Sequence, residues 1–465
     1  MDKQNKMEYS AGQRSPRFQP RIIIHGGAGN ITPANLPPDL YNDYRASLLT
    51  VISKTHSYML TPLPSSSRPS ARPLLPSSLA VSTHAVTLLE NNPLFNAGHG
   101  AVFTRDGTNE LEASVMVSRG HSKRGVGVTG LKHVRNPILL AKALLEHGDS
   151  DLLIPASEEL NVPSAQGHTL LHGESAEILA KKYGLELVDT SYFFTQKRWD
   201  EHIRALQREK EGRGVATWSR EEYLPQGTVG AVALDEEGVV CVATSTGGLT
   251  NKLTGRIGDT PSVGAGFWAE EWKETHFSSP PFSSGGPAVI LSGALKKLMA
   301  DCLPSPFMYT PSLQVECRKV IRTKALAVSG TGNGDSFLRT AAARTIGAVA
   351  RWGGYHGRIA ARQVAGPDGE LQKSAGDRWG KTGEGQGGVI GIEAIVTRDA
   401  ETGEVVGTRA DVIQEFNCGG LFRAWVDEKG VAYARVWRDE AELSKEYRGE
   451  TMPEQPRNWD GGKLL

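Results

Sequence analysis

Thr228 has the sequence surroundings that point most directly to covalent chemistry. It follows Gly227 near the middle of the 465-residue chain and heads the strand-like run TVGAVAL. A threonine hydroxyl within a chain is a weak nucleophile, but cleavage of the preceding peptide bond frees an α-amino group that can act as its base. The first hypothesis is therefore self-cleavage between Gly227 and Thr228. The alternative is that Thr228 only opens a β-strand, where threonine is common.

A second threonine is predicted to lie beside Thr228. The segment TVGAVALDEEGVVCVATST (228–246) has the pattern of two strands joined by a turn at 235–238. That turn places Thr228 opposite Ser245, one residue from Thr246. Opposed positions in antiparallel strands lie about 5 Å apart, so Thr246 is the candidate hydrogen-bond partner of the Thr228 hydroxyl or amine. A cross-strand threonine pair with a purely structural role is the alternative.

Two charged residues follow in the segment GRIGDT. Arg256 offers a planar fork that binds a carboxylate through two hydrogen bonds, and Asp259 attracts an ammonium group. Together they can hold both charged groups of an amino acid and leave its side-chain amide facing Thr228. With the two threonines, this set predicts an amide hydrolase. In the alternative, Arg256 and Asp259 pair with each other across a turn.

A glycine-rich turn, SGTGNGDSF (329–337), comes directly before a predicted helix. Backbone N–H groups at such a turn can stabilise the oxyanion of a tetrahedral intermediate. The hydroxyl of Thr331 and the N–H of Gly332 are the candidate donors. Phosphate or nucleotide binding is the competing interpretation, but the turn lacks both a GK[ST] sequence and a suitably spaced acidic residue.

The elements that must position these residues indicate an α+β fold. Apolar residues show helical spacing in five segments, 41–59, 79–92, 136–147, 173–185 and 336–352. Strand-like segments are predicted at 21–30, 100–116, 228–246 and 420–437, and the hairpin signals among them favour a layered α+β architecture over a doubly wound parallel sheet. Three segments are predicted to lie outside the folded core: a disordered tail at 1–20, a Pro/Ser-rich insertion at 62–78 and a Gly-rich loop at 366–388.

Composition excludes several classes of protein. Lys+Arg and Asp+Glu both number 52, so a net charge of zero gives no general attraction to nucleic acid or an anionic membrane. The sequence has no apolar run of about 18 residues, the length of a transmembrane helix, and its polar N-terminus does not resemble a signal peptide. Four cysteines without paired spacing are typical of reduced thiols. We expect a cytoplasmic enzyme that acts on a small molecule.

Five segments together resemble the plant-type asparaginases, also called isoaspartyl aminopeptidase/asparaginases, among the N-terminal nucleophile hydrolases. In order they are IIIHGGAG, PLFNAGHGAVFTRDGTNELEASVM, GTVGAVALDEEGVVCVATSTGGLTNKLTGRIGDTPSVGAG, SGTGNGD and FNCGGLFRAWV. The resemblance implies an αββα four-layer sandwich, with an α-portion (21–227) and a β-portion (228–465) in one folded domain. It also implies cleavage before Thr228 and hydrolysis of L-asparagine or β-aspartyl (isoaspartyl) peptides.

The resemblance assigns roles to residues by their positions in these motifs. Thr228 would be nucleophile and base, with Thr246 as its hydrogen-bond partner. Arg256 would bind the substrate α-carboxylate, and Asp259 the α-amino group. The remaining roles fall to Thr331 and Gly332 in the oxyanion hole, to the Gly334 carbonyl at the substrate amine and to Asn96 near the substrate.

The resemblance also implies an ion site and an assembly. The segment LLENNPLFNAGH (88–99) matches one that binds sodium, so a structural sodium or potassium ion is expected. Its ligands would be the backbone carbonyls of Leu89, Glu90, Asn92, Phe95, Ala97 and His99. No cofactor is required for the reaction. The expected assembly is a homodimer of cleaved αβ units.

Departures from the family pattern concern substrate choice. Residues 267–327 are predicted to contain an insertion that covers or reshapes the pocket entrance. The segments 62–78 and 366–388 also look inserted, and Met-Val-Ser (116–118) replaces the usual Met-Asp-Gly. Three alternatives stay open: a taspase-like threonine endopeptidase, a glycosylasparaginase, and a non-enzymatic relative that stays uncleaved and serves as a binding module.

Overall fold

The computed structural model describes residues 17–64, 74–121, 124–151, 164–165, 167–224, 227–278 and 318–438. Within these ranges the chain forms two β-sheets. The first contains β1 (Arg21–Gly29), β2 (Leu111–Val117), β3 (Gly125–Leu131), β4 (Leu170–His172), β5 (Val229–Leu234), β6 (Val240–Thr246), β11 (Gly420–Val426) and β12 (Ala432–Arg435). The second contains β7 (Phe267–Ser278), β8 (Arg318–Gly332), β9 (Gly387–Asp399) and β10 (Val405–Phe416).

The strand order shows how the two predicted portions combine. The larger sheet has the order β12-β11-β1-β5-β6-β2-β3-β4, so it mixes strands from before and after Thr228. Its neighbouring strands are antiparallel except for β3 and β4. The smaller sheet has the order β10-β9-β8-β7 and is antiparallel. The two portions therefore share one sheet.

Helices cover the outer face of each sheet. The helices of the described residues are α1 (Pro38–Leu60), α2 (Ser78–Glu90), α3 (Pro137–Asp151), α4 (Gly173–Lys182), α5 (Gln196–Lys210), α6 (Gly334–Thr340), α7 (Ala342–Trp352), α8 (Gly357–Ala365) and α9 (Glu370–Ala375). Helices α1, α2 and α3 pack on the larger sheet, whereas α7 and α8 pack on the smaller one. Side-chain caps start α2 and α5, where the hydroxyls of Ser77 and Thr195 accept from backbone N–H groups.

Strand β1 shows how alternating residues build the layers. Ile22 and Ile24 pack into the core under α1 and α2, whereas Ile23 points into the core between the sheets. Side chains of successive strand residues point to opposite faces, so an apolar run such as RIIIHG serves two cores at once. The predicted αββα sandwich is confirmed. Among the described residues, no helix combines the length and the apolar character needed to cross a membrane.

Several predicted boundaries were wrong. The tail predicted at 1–20 includes Phe18, which is buried between the sheets with its N–H bonded to Glu236 O. The loop predicted at 366–388 contains α9 and the start of β9. The helix predicted at 336–352 is broken at Ala341, whose φ is 45°. There the new helix begins by bonding Ala343 N–H and Arg344 N–H to carbonyls of 264–265, a contact with a distant segment.

The insertion predicted at 267–327 is mostly sheet where the structure describes it. Strands β7 and β8 pair continuously from Phe267 with Ser329 to Ser278 with Arg318. The rest of the insertion, 279–317, lies outside the described residues, as do 65–73 of the Pro/Ser-rich segment and 1–16 of the tail. Arg318 stands eleven residues along the strand from Ser329, roughly 37 Å at the rise of an antiparallel strand.

Candidate active site

Thr228 lies directly before β5, in the middle of the larger sheet, and is 4% exposed. Val229 pairs with Ser245, and extending this register by one residue places Thr228 across from Thr246. The prediction of Ser245 as the opposed residue was therefore wrong by one position. The cause is the turn: Leu234 pairs with Val240, so five residues form the connection rather than four.

The Thr228 hydroxyl has a partner that the sequence did not suggest. Its Oγ1 lies 2.7 Å from Thr260 Oγ1, and both side chains are buried. The predicted partner, Thr246, instead accepts a hydrogen bond from Gly248 N–H at 3.0 Å. Thr260 stands next to Asp259 in the motif GRIGDT, and that adjacency was the available signal.

Thr331 contacts the main chain at Thr228, and Gly332 follows it at the end of β8. The Thr331 hydroxyl donates to Thr228 O at 2.9 Å. Gly332 ends β8 with a φ of 137°, and a Cβ there would lie 2.5 Å from Gly387 Cα and from Gln386 O. A side chain at this position is therefore excluded by both conformation and space. Thr331, one of the two predicted oxyanion donors, thus lies beside the predicted nucleophile.

The predicted substrate-binding groups converge at Gly334. A Cβ on Gly334 would lie 2.6 Å from Asp259 Oδ1 and 3.0 Å from Arg256 Nη2. Arg256 Nη2 is 3.1 Å from Asp335 Oδ2, close enough for an ion pair but without hydrogen-bond geometry. Asp335 is half-exposed. The pairing observed for Arg256 is therefore with Asp335 rather than with Asp259.

Asp259 is a buried carboxylate with an unused acceptor. Its Oδ2 has no hydrogen-bond partner among the described residues, and the residue is 5% exposed. Burial, opposed by the nearby Arg256 guanidinium, raises the pKa of Asp259 to about 7. A buried carboxyl group with a free oxygen is matched to a cationic ligand.

Glu112 and Lys252 also hold the Arg256–Asp259 loop, and neither was predicted as a site residue from the sequence. Glu112, on β2 opposite Thr246, accepts from Gly258 N–H at 3.1 Å. The buried Lys252 ammonium donates to Glu110 O at 3.0 Å, and burial lowers the pKa of Lys252. The alternating acidic residues of NELEASVM, Glu110 and Glu112, were the available signal, because alternate residues of an extended segment point to the same side.

His25 is a buried neutral group near Thr228. It pairs with Gly230 across β1 and β5, and its Nε2 lies 2.7 Å from Ser329 Oγ. Burial lowers the pKa of His25 to about 3, despite a hydrogen bond with the Thr228 main chain. His25 is therefore uncharged at neutral pH and contributes hydrogen bonding rather than charge.

Asn96 connects two loops through its whole amide. Its Nδ2 donates to Gly248 O at 2.7 Å, and its Oδ1 accepts from Val102 N–H at 3.1 Å. The main-chain carbonyl of Asn96 also accepts from Gly247 N–H at 3.1 Å. Asn96 therefore fixes the turn that follows Thr246, and its amide is engaged with the main chain rather than directed to a ligand.

The loop predicted to bind an alkali ion presents several carbonyl groups. The carbonyls of Leu89, Asn92, Phe95 and Ala97 each accept a backbone hydrogen bond, which leaves a second lone pair on each oxygen. Gly98 packs closely against the end of α2. A Cβ at this position would lie 2.5 Å from Glu90 O. The described residues contain no cluster of three or more His, Cys, Asp or Glu side chains suited to a metal; carbonyl ligands are a different donor set.

The chain is similar to several known proteins. A sequence model of the family described as asparaginase matches residues 18–273. The isoaspartyl peptidase of Escherichia coli (strain K12) is 37% identical over 316 residues, which cover 67% of this chain and 84% of that protein. The isoaspartyl peptidase of Salmonella typhimurium is 30% identical over 404 residues, with 87% and 94% covered. The plant-type L-asparaginase of Pyrococcus furiosus is 35% identical over 254 residues, with 54% and 70% covered.

Proposed function

The chain belongs to the asparaginase family, and we propose that it hydrolyses L-asparagine and β-aspartyl peptides with Thr228 as the nucleophile. One observation carries the proposal. In the 2.7 Å contact between Thr228 Oγ1 and Thr260 Oγ1, the nucleophile touches the residue that directly follows Asp259. A hydroxyl and an unpaired buried carboxylate thus meet at one site, where one can attack an amide while the other holds the substrate amine.

Self-cleavage comes first in the proposed sequence. The Thr228 hydroxyl attacks the carbonyl carbon of Gly227, and the peptide nitrogen leaves with a proton, so an ester replaces the amide. Water then hydrolyses the ester and frees the α-amino group of Thr228. Close packing supports a fixed geometry at this bond: a Cβ on Gly227 would lie 2.3 Å from Gly27 Cα and 2.6 Å from Ala28 N.

Turnover uses the new amine as base. The α-amino group of Thr228 accepts the hydroxyl proton as Oγ1 attacks the substrate's side-chain carbonyl carbon. Thr331 and the Gly332 N–H stabilise the oxyanion, and ammonia or a peptide amine leaves with the proton. Water releases aspartate from the resulting ester. In the uncut chain the Thr331 hydroxyl already lies 2.9 Å from the Thr228 main chain.

Charge complementarity selects the substrate class. We propose that the α-carboxylate of the substrate replaces Asp335 on the Arg256 fork and that its ammonium group binds Asp259 and the Gly334 carbonyl. The half-exposed Asp335 and the poor geometry of its ion pair support such an exchange. A substrate with both free α-groups fits this arrangement better than an internal segment of a protein.

Three further features belong to the proposal: a structural sodium or potassium ion on the carbonyls of the 89–99 loop, a homodimer of cleaved αβ units and a cytoplasmic location. The carbonyl-rich turn at Gly98 supports the ion. Melting temperatures in sodium chloride and in choline chloride at equal ionic strength test it. A higher melting temperature in sodium is expected, and identical values would contradict the ion site.

A denaturing gel with substrate assays tests the proposed function. Incubated wild-type protein is expected to yield fragments 1–227 and 228–465, the second beginning TVGAV, and to release ammonia from L-asparagine and leucine from β-Asp-Leu. Thr228→Ala is expected to stay intact and inactive, while Thr275→Ala, an exposed threonine on β7, behaves as wild type. An intact, inactive wild-type chain would refute the proposal. Glycosyl-asparagine or a protein as the preferred substrate would contradict the substrate class.

A further inference from the structure

Thr260 contacts the nucleophile directly, and the reaction described above gives it no role. Its Oγ1 is 2.7 Å from Thr228 Oγ1, and either hydroxyl can donate in this pair. A threonine side chain has a few staggered χ1 positions separated by barriers. The contact with Thr260 therefore favours one direction for the attacking oxygen.

The main chain that carries Thr260 is held on both sides. Thr260 O accepts from Ser114 Oγ at 2.6 Å, and Ser114 Oγ lies 2.5 Å from Thr244 Oγ1. One residue earlier, Asp259 O accepts from the N–H groups of Ser262 and Gly266. These bonds tie the turn to β2 and β6. The main chain at Thr260 is thus held against these strands, and its hydroxyl is not on a mobile surface segment.

The burial of the pair strengthens this effect. Thr228 is 4% exposed and Thr260 is 1% exposed. Water does not readily replace a hydrogen-bond partner at such a position, so loss of one hydroxyl leaves the other without its partner. Thr246 Oγ1 accepts from Gly248 N–H, and among the described residues no hydrogen bond joins Thr246 to Thr228.

We propose that Thr260 is a positioning residue that directs the Thr228 hydroxyl toward the Gly227 carbonyl during self-cleavage and toward the substrate during turnover. The inference rests on the proposed function, because it requires Thr228 to be the nucleophile. Thr260 forms no covalent bond in either step, and its hydroxyl is the same before and after. A misplacement of about 1 Å at a reacting atom can lower a rate about 100-fold.

Two matched variants isolate the hydroxyl. Thr260→Val keeps the shape and removes the hydroxyl, whereas Thr260→Ser keeps the hydroxyl and removes the methyl group. Freshly purified proteins are sampled over time on denaturing gels. Thr260→Val is expected to cleave at least about tenfold more slowly than wild type, and Thr260→Ser to cleave within about threefold of it. Equal cleavage of Thr260→Val and wild type would overturn the inference.

The mature enzymes supply a second measurement. Because Thr260 contacts the nucleophile, Thr260→Val is expected to lower kcat for L-asparagine with little change in KM. A general disturbance of the loop that carries Asp259 would raise KM, and that result would overturn the positioning role. If Thr260→Val melts below the assay temperature, Thr260→Ala and Thr260→Ser are compared instead, since both are smaller than threonine.

The wild-type lane separates this inference from the proposed function. If wild type cleaves before Thr228 and Thr260→Val cleaves equally fast, the inference is wrong and the proposed function stands. If wild type does not cleave or hydrolyse asparagine, the proposed function itself is wrong.

Discussion

The two ends of the four-stranded sheet are built differently. At one end, Gly330, Thr331 and Gly332 of β8 pair with 387–389 of β9, and all are buried. At the other end, Arg322 and Thr323 are half-buried, and 405–409 of β10 are exposed. At the first end Thr331 contacts the Thr228 main chain, whereas the residues at the second end meet solvent.

The difference indicates where the fold tolerates change. At the site end a glycine is required by contacts closer than 3 Å, as at Gly332. At the distal end the strands can lengthen without disturbing these contacts, because each added pair lies farther from Thr228. The described part of the predicted insertion agrees with this expectation, because it lengthens β7 and β8 in the direction away from the site.

Exchanging one glycine for alanine at each end is expected to give the largest contrast. Gly332→Ala places a Cβ 2.5 Å from Gly387 Cα and from Gln386 O, with a φ of 137°. Gly407→Ala meets nothing within 4 Å. We expect Gly332→Ala to lower kcat for L-asparagine at least about 100-fold and Gly407→Ala to leave it unchanged. Similar kinetics for the two variants would show that the two ends of the sheet do not differ in their tolerance of a side chain.

Arg256→Lys tests the fork at the site end. Lysine keeps the charge but cannot bind a carboxylate through two parallel hydrogen bonds. Loss of one hydrogen bond to a charged group corresponds to a decrease of about 10- to 100-fold in kcat/KM. Arg322→Lys, on the distal part of β8, is the matched control and is expected to match wild type. An unchanged kcat/KM in Arg256→Lys would show that the substrate carboxylate binds elsewhere.

Asp259 should impose a pH dependence on ligand binding. Burial raises its pKa to about 7, so protonation removes its charge as the pH falls through neutrality. An ammonium ligand requires the ionised form, and the inhibition constant of the product L-aspartate is therefore expected to be about tenfold larger at pH 6 than at pH 8. A flat inhibition constant between these values would contradict the role of Asp259 in the free enzyme.

Residues within contiguous motifs were predictable from the sequence, whereas contacts across the fold were not. Thr228, Arg256 and Asp259 lie within one segment, and the hairpin signal brought Thr246 within one residue of the position opposite Thr228. The position of Thr260 depends on the return of its loop onto β2 through Ser114, a contact that no local pattern specifies. The break at Ala341 likewise depends on carbonyls of 264–265.

Replacing 279–317 by a short turn that joins β7 to β8 is expected to have the smallest effect. The junction at Ser278 and Arg318 lies eleven residues along the strand from Ser329, roughly 37 Å from the site end. Removal at that junction leaves every described contact of Thr228, Arg256 and Asp259 in place. We expect cleavage and kcat/KM for L-asparagine and β-Asp-Leu to change less than about twofold, because additive behaviour is the rule for distant sites. A larger change, or an altered ratio between the two substrates, would show that the two ends of the sheet are coupled and that the segment governs access to Thr228.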